Sequence, residues 1–135
     1  MKKQALKIKF ESAADFEKRT LNALRKREKS RRPKDTIFFS TVTAYQKFMT
    51  EQKYAILAAI YHHRPSSLYQ LAKLVNRDLA NVKRDCDSLV AGVFIILEDA
   101  DDKRGAKLPK LAFDYHIIII YMPNTTYSHH LSEAA

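Results

Sequence analysis

Ser67-Leu68-Tyr69-Gln70-Leu71-Ala72-Lys73-Leu74-Val75-Asn76-Arg77-Asp78-Leu79-Ala80-Asn81-Val82-Lys83-Arg84-Asp85 carries two apolar stripes at helical spacing with a polar break between them. Leu68, Leu71, Ala72 and Val75 recur at intervals of three and four, so residues 68–75 form a short helix, capped by Ser66 or Ser67. Asn76-Arg77-Asp78 makes a tight turn, and Asp78 stands at the N-cap of a helix from Leu79 to about Ala91. Leu79, Val82, Cys86, Leu89 and Val93 mark its inner side, and Gly92 stops it.

Upstream, Thr50 caps a helix in which Tyr54, Leu57, Ala58 and Tyr61 repeat at the same spacing. It ends near His62 and His63, where Arg64-Pro65-Ser66-Ser67 breaks it. Downstream, Phe94 to Glu98 is a strand, the charged segment Asp99 to Lys107 is a turn, and a second strand starts near Leu108. From Leu111 to Ile120 the strand either continues or is interrupted at Asp114. Three helices followed by a hairpin is the order of a winged helix-turn-helix, so the expected fold class is α+β, mainly α.

The amino-terminal part adds a strand–helix–strand extension. Leu6-Lys7-Ile8-Lys9-Phe10 alternates as a strand with one wet face. Ser12 then caps a helix bearing Ala13, Phe16, Leu21 and Leu24 on one side and running to about Lys29, before Pro33. Thr36-Ile37-Phe38-Phe39 is a second strand, and Ser40 caps a brief helix carrying Val42, Tyr45 and Phe48. The expected organisation is an extension over residues 1–35, a winged helix-turn-helix domain over 36–122 and a tail over 123–135.

A chain of 135 residues, 46% apolar and 29% charged, suits one ordinary domain. One cysteine, Cys86, leaves no internal disulfide and no cysteine cluster for zinc, and two glycines leave no Gly-rich phosphate loop. No run of about eighteen apolar residues spans a membrane, and the start lacks a signal-peptide core, so a cytoplasmic protein without a membrane partner is expected. The charge is uneven. Lys18 to Lys34 holds nine basic residues and one acid in a chain of net charge +9. Clustering of this kind points to a polyanion or an acidic protein, against the plainer reading of a solvated helix end. The residues assigned to that role are Arg25, Lys26, Arg27, Lys29, Arg31, Arg32 and Lys34.

With Val82 and Cys86 facing inward, Arg84 points almost straight out, flanked by Arg77, Ala80, Asn81 and Ser88. Arg and Asn side chains pair bidentately with guanine and adenine edges, and a small Ala permits close approach. These five are the expected base-reading residues for double-stranded DNA. Ser67, Lys83, Lys103, Arg104 and Lys107 are the expected phosphate contacts. The competing reading makes Arg77–Asp78 and Arg84–Asp85 ordinary surface ion pairs.

The quoted stretch also resembles the helix-turn-helix of a family of predicted bacterial and archaeal transcriptional regulators in the broad MarR/ArsR-like winged-helix group. The shared pattern is S-L-x-x-L-A from Ser67, R-D-x-x-N-V-x-R-D from Arg77, then Leu89 and Gly92. It extends more weakly from Thr36 to Ile120, through Phe39-Ser40 and the Pro109 to Tyr115 stretch. The resemblance implies an autoregulating repressor that binds a two-fold operator as a homodimer. Some relatives are antitoxins, which implies a second role of neutralising a cognate toxin protein. Arg77, Asn81 and Arg84 occupy the motif positions themselves. Val93-Phe94 departs from the usual leucine-isoleucine, and the basic density of Arg25 to Lys34 has no counterpart in the family.

Other chemistry is weaker. Adjacent helical residues point about 100° apart, so His62-His63 gives no two-ligand face, and His129-His130 falls in the tail; no metal site is expected. Cys86 reads as a buried apolar residue rather than a redox sensor. No nucleophile–base signature is present and no cofactor motif, so the chain is not expected to be an enzyme. The acidic half of the hairpin turn, Asp99, Asp101 and Asp102, would repel phosphates unless it turns away. Ile117, Ile118, Ile119 and Ile120 give a strand apolar on both faces, expected to meet a partner chain or the amino-terminal strand and proposed as a homodimer contact. RNA binding through the arginine-rich segment is the remaining alternative.

Overall fold

The computed structural model describes residues 4–26, 35–99 and 106–123. The class is α+β, with five helices and two small sheets among the described residues. The chain forms two compact units, one of residues 49–116 with the first four residues, the other of residues 5–48 with residues 117–135. Strand Thr36–Phe39 and helix Val42–Phe48 group with the amino-terminal strand.

In the unit of residues 5–48 and 117–135, β1 (Gln4–Phe10) and β2 (Thr36–Phe39) pair in parallel, Lys7 opposite Thr36 and Phe10 opposite Phe39. Helix α1 (Ala13–Arg25) is the crossover between them. Ser12 Oγ caps it, accepting from the Asp15 amide at 3.1 Å. Leu6, Ile8 and Ile37 are buried, as the alternation of β1 requires. Phe10 and Phe39 meet the buried ring of Tyr45, on α2 (Val42–Phe48), edge to face. Thr41 rather than Ser40 caps α2, through the Ala44 amide. Helix α1 buries none of its residues, and Phe16, Leu21 and Leu24 stand exposed.

In the unit of residues 49–116, α3 (Glu51–His63), α4 (Leu68–Val75) and α5 (Leu79–Ala91) pack on one another. An antiparallel hairpin, β3 (Ile95–Asp99) and β4 (Lys107–Leu111), lies against α3, α4 and α5. Ile56, Ile60, Leu71, Val82, Cys86, Leu89 and Phe94 are at most 3% exposed and form the centre of the core. Thr50 and Ser67 cap α3 and α4, accepting from the Lys53 and Gln70 amides. Asn76 ends α4 in the left-handed region, φ 54°, which Asn tolerates well. The turn at 112–114 separates β4 from β5 (Tyr115–Ile120), which resolves the ambiguity at Asp114 in favour of a break. Among the described residues, no helix is long and apolar enough to cross a membrane.

Two residues expected on the inner side of α5 lie elsewhere. Leu79 is 42% exposed and Val93 45% exposed, because the stripe is buried only where α3 and α4 cover it. Gly92 caps α5 with φ −80°, and the left-handed position falls on Val93 at φ 68°. A β-branched residue there costs on the order of 1–2 kcal/mol. Asn in place of Val93 keeps the backbone and gives up little packing. Val93→Asn is therefore expected to raise stability by about 1 kcal/mol in urea unfolding; a destabilised variant would show that Val93 packing outweighs the strain.

Candidate nucleic-acid interface

Helix α5 is held by its inner side, which fixes what its outer side presents. Val82, Cys86 and Leu89 are fully buried, so Ala80, Asn81, Lys83 and Arg84 are left exposed. No side-chain hydrogen bond or ion pair within the described residues engages Asn81, Lys83 or Arg84. These groups are thus ready to meet an external partner without first breaking an internal contact. Asp87, three residues after Arg84, is also exposed, and an aspartate there can accept from a cytosine amino group. Its sequence signal is its spacing of three from Arg84, which puts it on the same side of the helix.

Two expected base-reading residues are engaged internally. Arg77 Nη1 lies 2.8 Å from Asp85 Oδ2, both side chains only 20% exposed. The two atoms are shielded from solvent and meet as an ion pair rather than a well-aligned hydrogen bond. The Arg77 amide also donates to Ala72 O at 3.0 Å, so the residue ties the end of α4 to the middle of α5. Neither pairing weighed from sequence, Arg77 with Asp78 or Arg84 with Asp85, is the one formed. Ser88 turns toward α3, where its Oγ accepts from Lys53 Nζ at 2.9 Å. Lys53 is 8% exposed, and a buried ammonium needs such an acceptor. Arg77 and Ser88 therefore act as positioning residues for α5.

At the start of α4, Ser67 Oγ accepts from the Gln70 amide, which leaves its own proton for an outside acceptor such as phosphate. Two residues not singled out from sequence share this helix's exposed side. Tyr69 is 60% exposed, and Lys73 Nζ sits 4.5 Å from its ring centroid. The signal for Tyr69 was its absence from the Leu68, Leu71, Ala72, Val75 stripe.

Two acids of the hairpin are paired within it, while Asp101 and Asp102 lie outside the described residues. Asp99 pairs with Lys107, whose ammonium holds the Asp99 carboxyl below the usual carboxylate range. Glu98 pairs with Lys110 at 2.9 Å. Lys107, expected on phosphate, is thus already partnered, and its exposed pair with Asp99 is weak enough to exchange. Lys103 and Arg104, the other expected hairpin contacts, lie outside the described residues, as do Arg27, Lys29, Arg31, Arg32 and Lys34. Arg25 and Lys26 are exposed at the end of α1.

Burial, with Asp85 and Asp87 adding to it, pushes the Cys86 thiol up to about 12. It stays protonated at neutral pH and is a packing group, not a nucleophile. Burial also raises the Tyr115 phenol, whose hydroxyl donates to Phe94 O at 2.9 Å and anchors the hairpin entry. Among the described residues, no three His, Cys, Asp or Glu side chains gather as metal ligands.

Compared with known proteins, residues 48–117 match the family described as HVO_A0114, just over half of the chain. No curated protein and no solved structure matches it. The match covers α3, α4, α5 and the hairpin, the elements that carry the exposed face.

The Arg77–Asp85 pair gives a stability test. Arg77→Ala and Asp85→Ala are each expected to cost about 1–3 kcal/mol, since each leaves a partly buried charge without its partner. The double variant is expected to cost less than the two together in urea unfolding. Additive losses would show that the two side chains are not coupled.

Proposed function

The chain belongs to the HVO_A0114 family, and on that premise we propose that it is a sequence-specific DNA-binding transcriptional regulator of the winged helix-turn-helix type. The observation that carries the reading is the outer side of α5, where Ala80, Asn81 and Arg84 are exposed and unengaged by described residues. A major groove about 12 Å wide admits one helix, and the preceding helix braces it against the backbone. In this reading α5 is the recognition helix. Asn81 and Arg84 read bases, with Asp87 added and with Arg77 and Ser88 moved to positioning. Lys83, Ser67 and Lys73 face phosphates, and the β3–β4 hairpin is the wing. The kinship with MarR/ArsR-like repressors and the autoregulating role in the cytoplasm belong to the same proposal. No catalytic step is assigned.

A second reading rests on α1. Its exposed Phe16, Leu21 and Leu24 beside Arg25 and Lys26 suit the surface of an acidic protein, in line with an antitoxin that neutralises a cognate toxin. The two roles are compatible, because they use different elements. Co-purification with the product of a neighbouring small reading frame should be lost in a Phe16→Asp, Leu24→Asp variant; capture at wild-type level would remove α1 from the partner surface. RNA binding predicts the opposite nucleic-acid preference, structured RNA over duplex DNA at matched salt.

The DNA reading makes a graded prediction for the duplex upstream of the protein's own coding sequence. Asn81→Ala with Arg84→Ala should weaken that duplex by about thirtyfold or more, at roughly 1–3 kcal/mol for each of the two lost bidentate contacts, while leaving a scrambled duplex nearly unchanged. Lys83→Ala should weaken both duplexes alike and lower the salt slope by about 1. Unchanged affinity in the double variant would contradict base reading by α5.

A further inference from the structure

We propose that the edge of β5 to which no described strand is paired joins the same edge of a second copy, antiparallel across a two-fold axis, so that two three-stranded sheets become one of six strands. The sheet order is β2-β1-β5, which leaves β5 outermost. One of its flanks is bonded to β1, the Tyr121 amide donating to Ile8 O at 2.9 Å. On the other flank, no described strand supplies partners for its amides and carbonyls.

Edge strands in folded proteins are ordinarily guarded by a charge, a proline or a bulge. Residues 116–122, His-Ile-Ile-Ile-Ile-Tyr-Met, contain no Asp, Glu, Lys, Arg, Pro or Gly in a chain that is 29% charged. Ile117, Ile119, Ile120 and Tyr121 are each 41–50% exposed, and because alternate residues point to opposite faces, both faces of the strand are apolar there. Pairing with β1 therefore meets only part of what the isoleucines need.

The chemistry of the edge selects a copy of itself. An acidic partner would answer the +9 charge of the chain, but that charge is absent from this strand. A second β5 needs only backbone hydrogen bonds and isoleucine pairs. β-branched residues opposite one another stabilise antiparallel strands, and no like charges meet. The contact is isologous, so it closes at two copies. Head-to-tail growth through the opposite edge is disfavoured, because β2 has only four residues against six in β5. Centred near Ile118, the pairing sets Ile117 opposite the partner's Ile119. None of this rests on the DNA reading.

Light scattering and sedimentation of the full chain at micromolar concentration should give twice 15.6 kDa. Ile119→Lys should shift the protein to monomer with its circular dichroism unchanged. Mixing Ile117→Lys with Ile119→Glu should restore a dimer containing one chain of each. A monomeric wild type would overturn the proposal, and so would a dimer that Ile119→Lys leaves intact. A monomer that dimerises only after removal of residues 124–135 would show that the chain covers its own edge, which also overturns it.

Discussion

The contact between Arg77 and Asp85 sets the geometry on which the exposed face depends. Arg77 belongs by its backbone to the end of α4 and by its side chain to the middle of α5. Together with the buried Leu71, Ala72, Val82 and Cys86 of the same two helices, the pair fixes how α5 leaves the turn. An exposed pair of this kind would contribute little, but here both groups are four-fifths shielded and breaking one side strands the other. Its first role is thus one of angle: it decides which residues of α5 reach solvent. The Lys53–Ser88 hydrogen bond does the same one turn further along, from α3.

Once α5 is oriented in this way, its outer surface has a mixed character that bears on how nucleic acid would be bound. Lys83 and Arg84 stand next to the acidic Asp87, so this face is no simple cationic patch. A face of that kind suits reading base edges better than holding phosphates without regard to sequence. In the hairpin, Asp99 and Glu98 are matched by Lys107 and Lys110, while Asp101 and Asp102 of the acidic run lie outside the described residues. Arg25 and Lys26, the exposed basic residues at the end of α1, belong to a different structural unit.

Much of this was legible in the sequence, for identifiable reasons. The stripe Leu71, Ala72, Val82, Cys86, Leu89 has helical period and is interrupted by a turn-forming triplet, so the helices and their order could be read from local pattern alone. Asn81, Lys83 and Arg84 followed as the complement of that stripe. Arg77 and Ser88 did not. Their partners are eight and thirty-five residues away, and no local pattern announces that an arginine next to one aspartate will choose another. Leu79 and Val93 have the right period but lie beyond the reach of α3 and α4. The parallel pairing of β1 with β2 is a long-range event with no local signal; the isoleucine run pointed to the amino-terminal strand or a partner chain, and the sheet order places it beside β1.

The most direct test of DNA recognition by α5 is a heteronuclear NMR titration of the isotope-labelled full chain with the duplex upstream of its coding sequence, against a scrambled duplex at the same salt. Base reading by α5 predicts amide shift changes at the start of α4, through the turn and along Ala80 to Arg84, and in the hairpin, with the α5 changes much reduced for the scrambled duplex. Changes that spare α5, or that are the same for both duplexes, would contradict it.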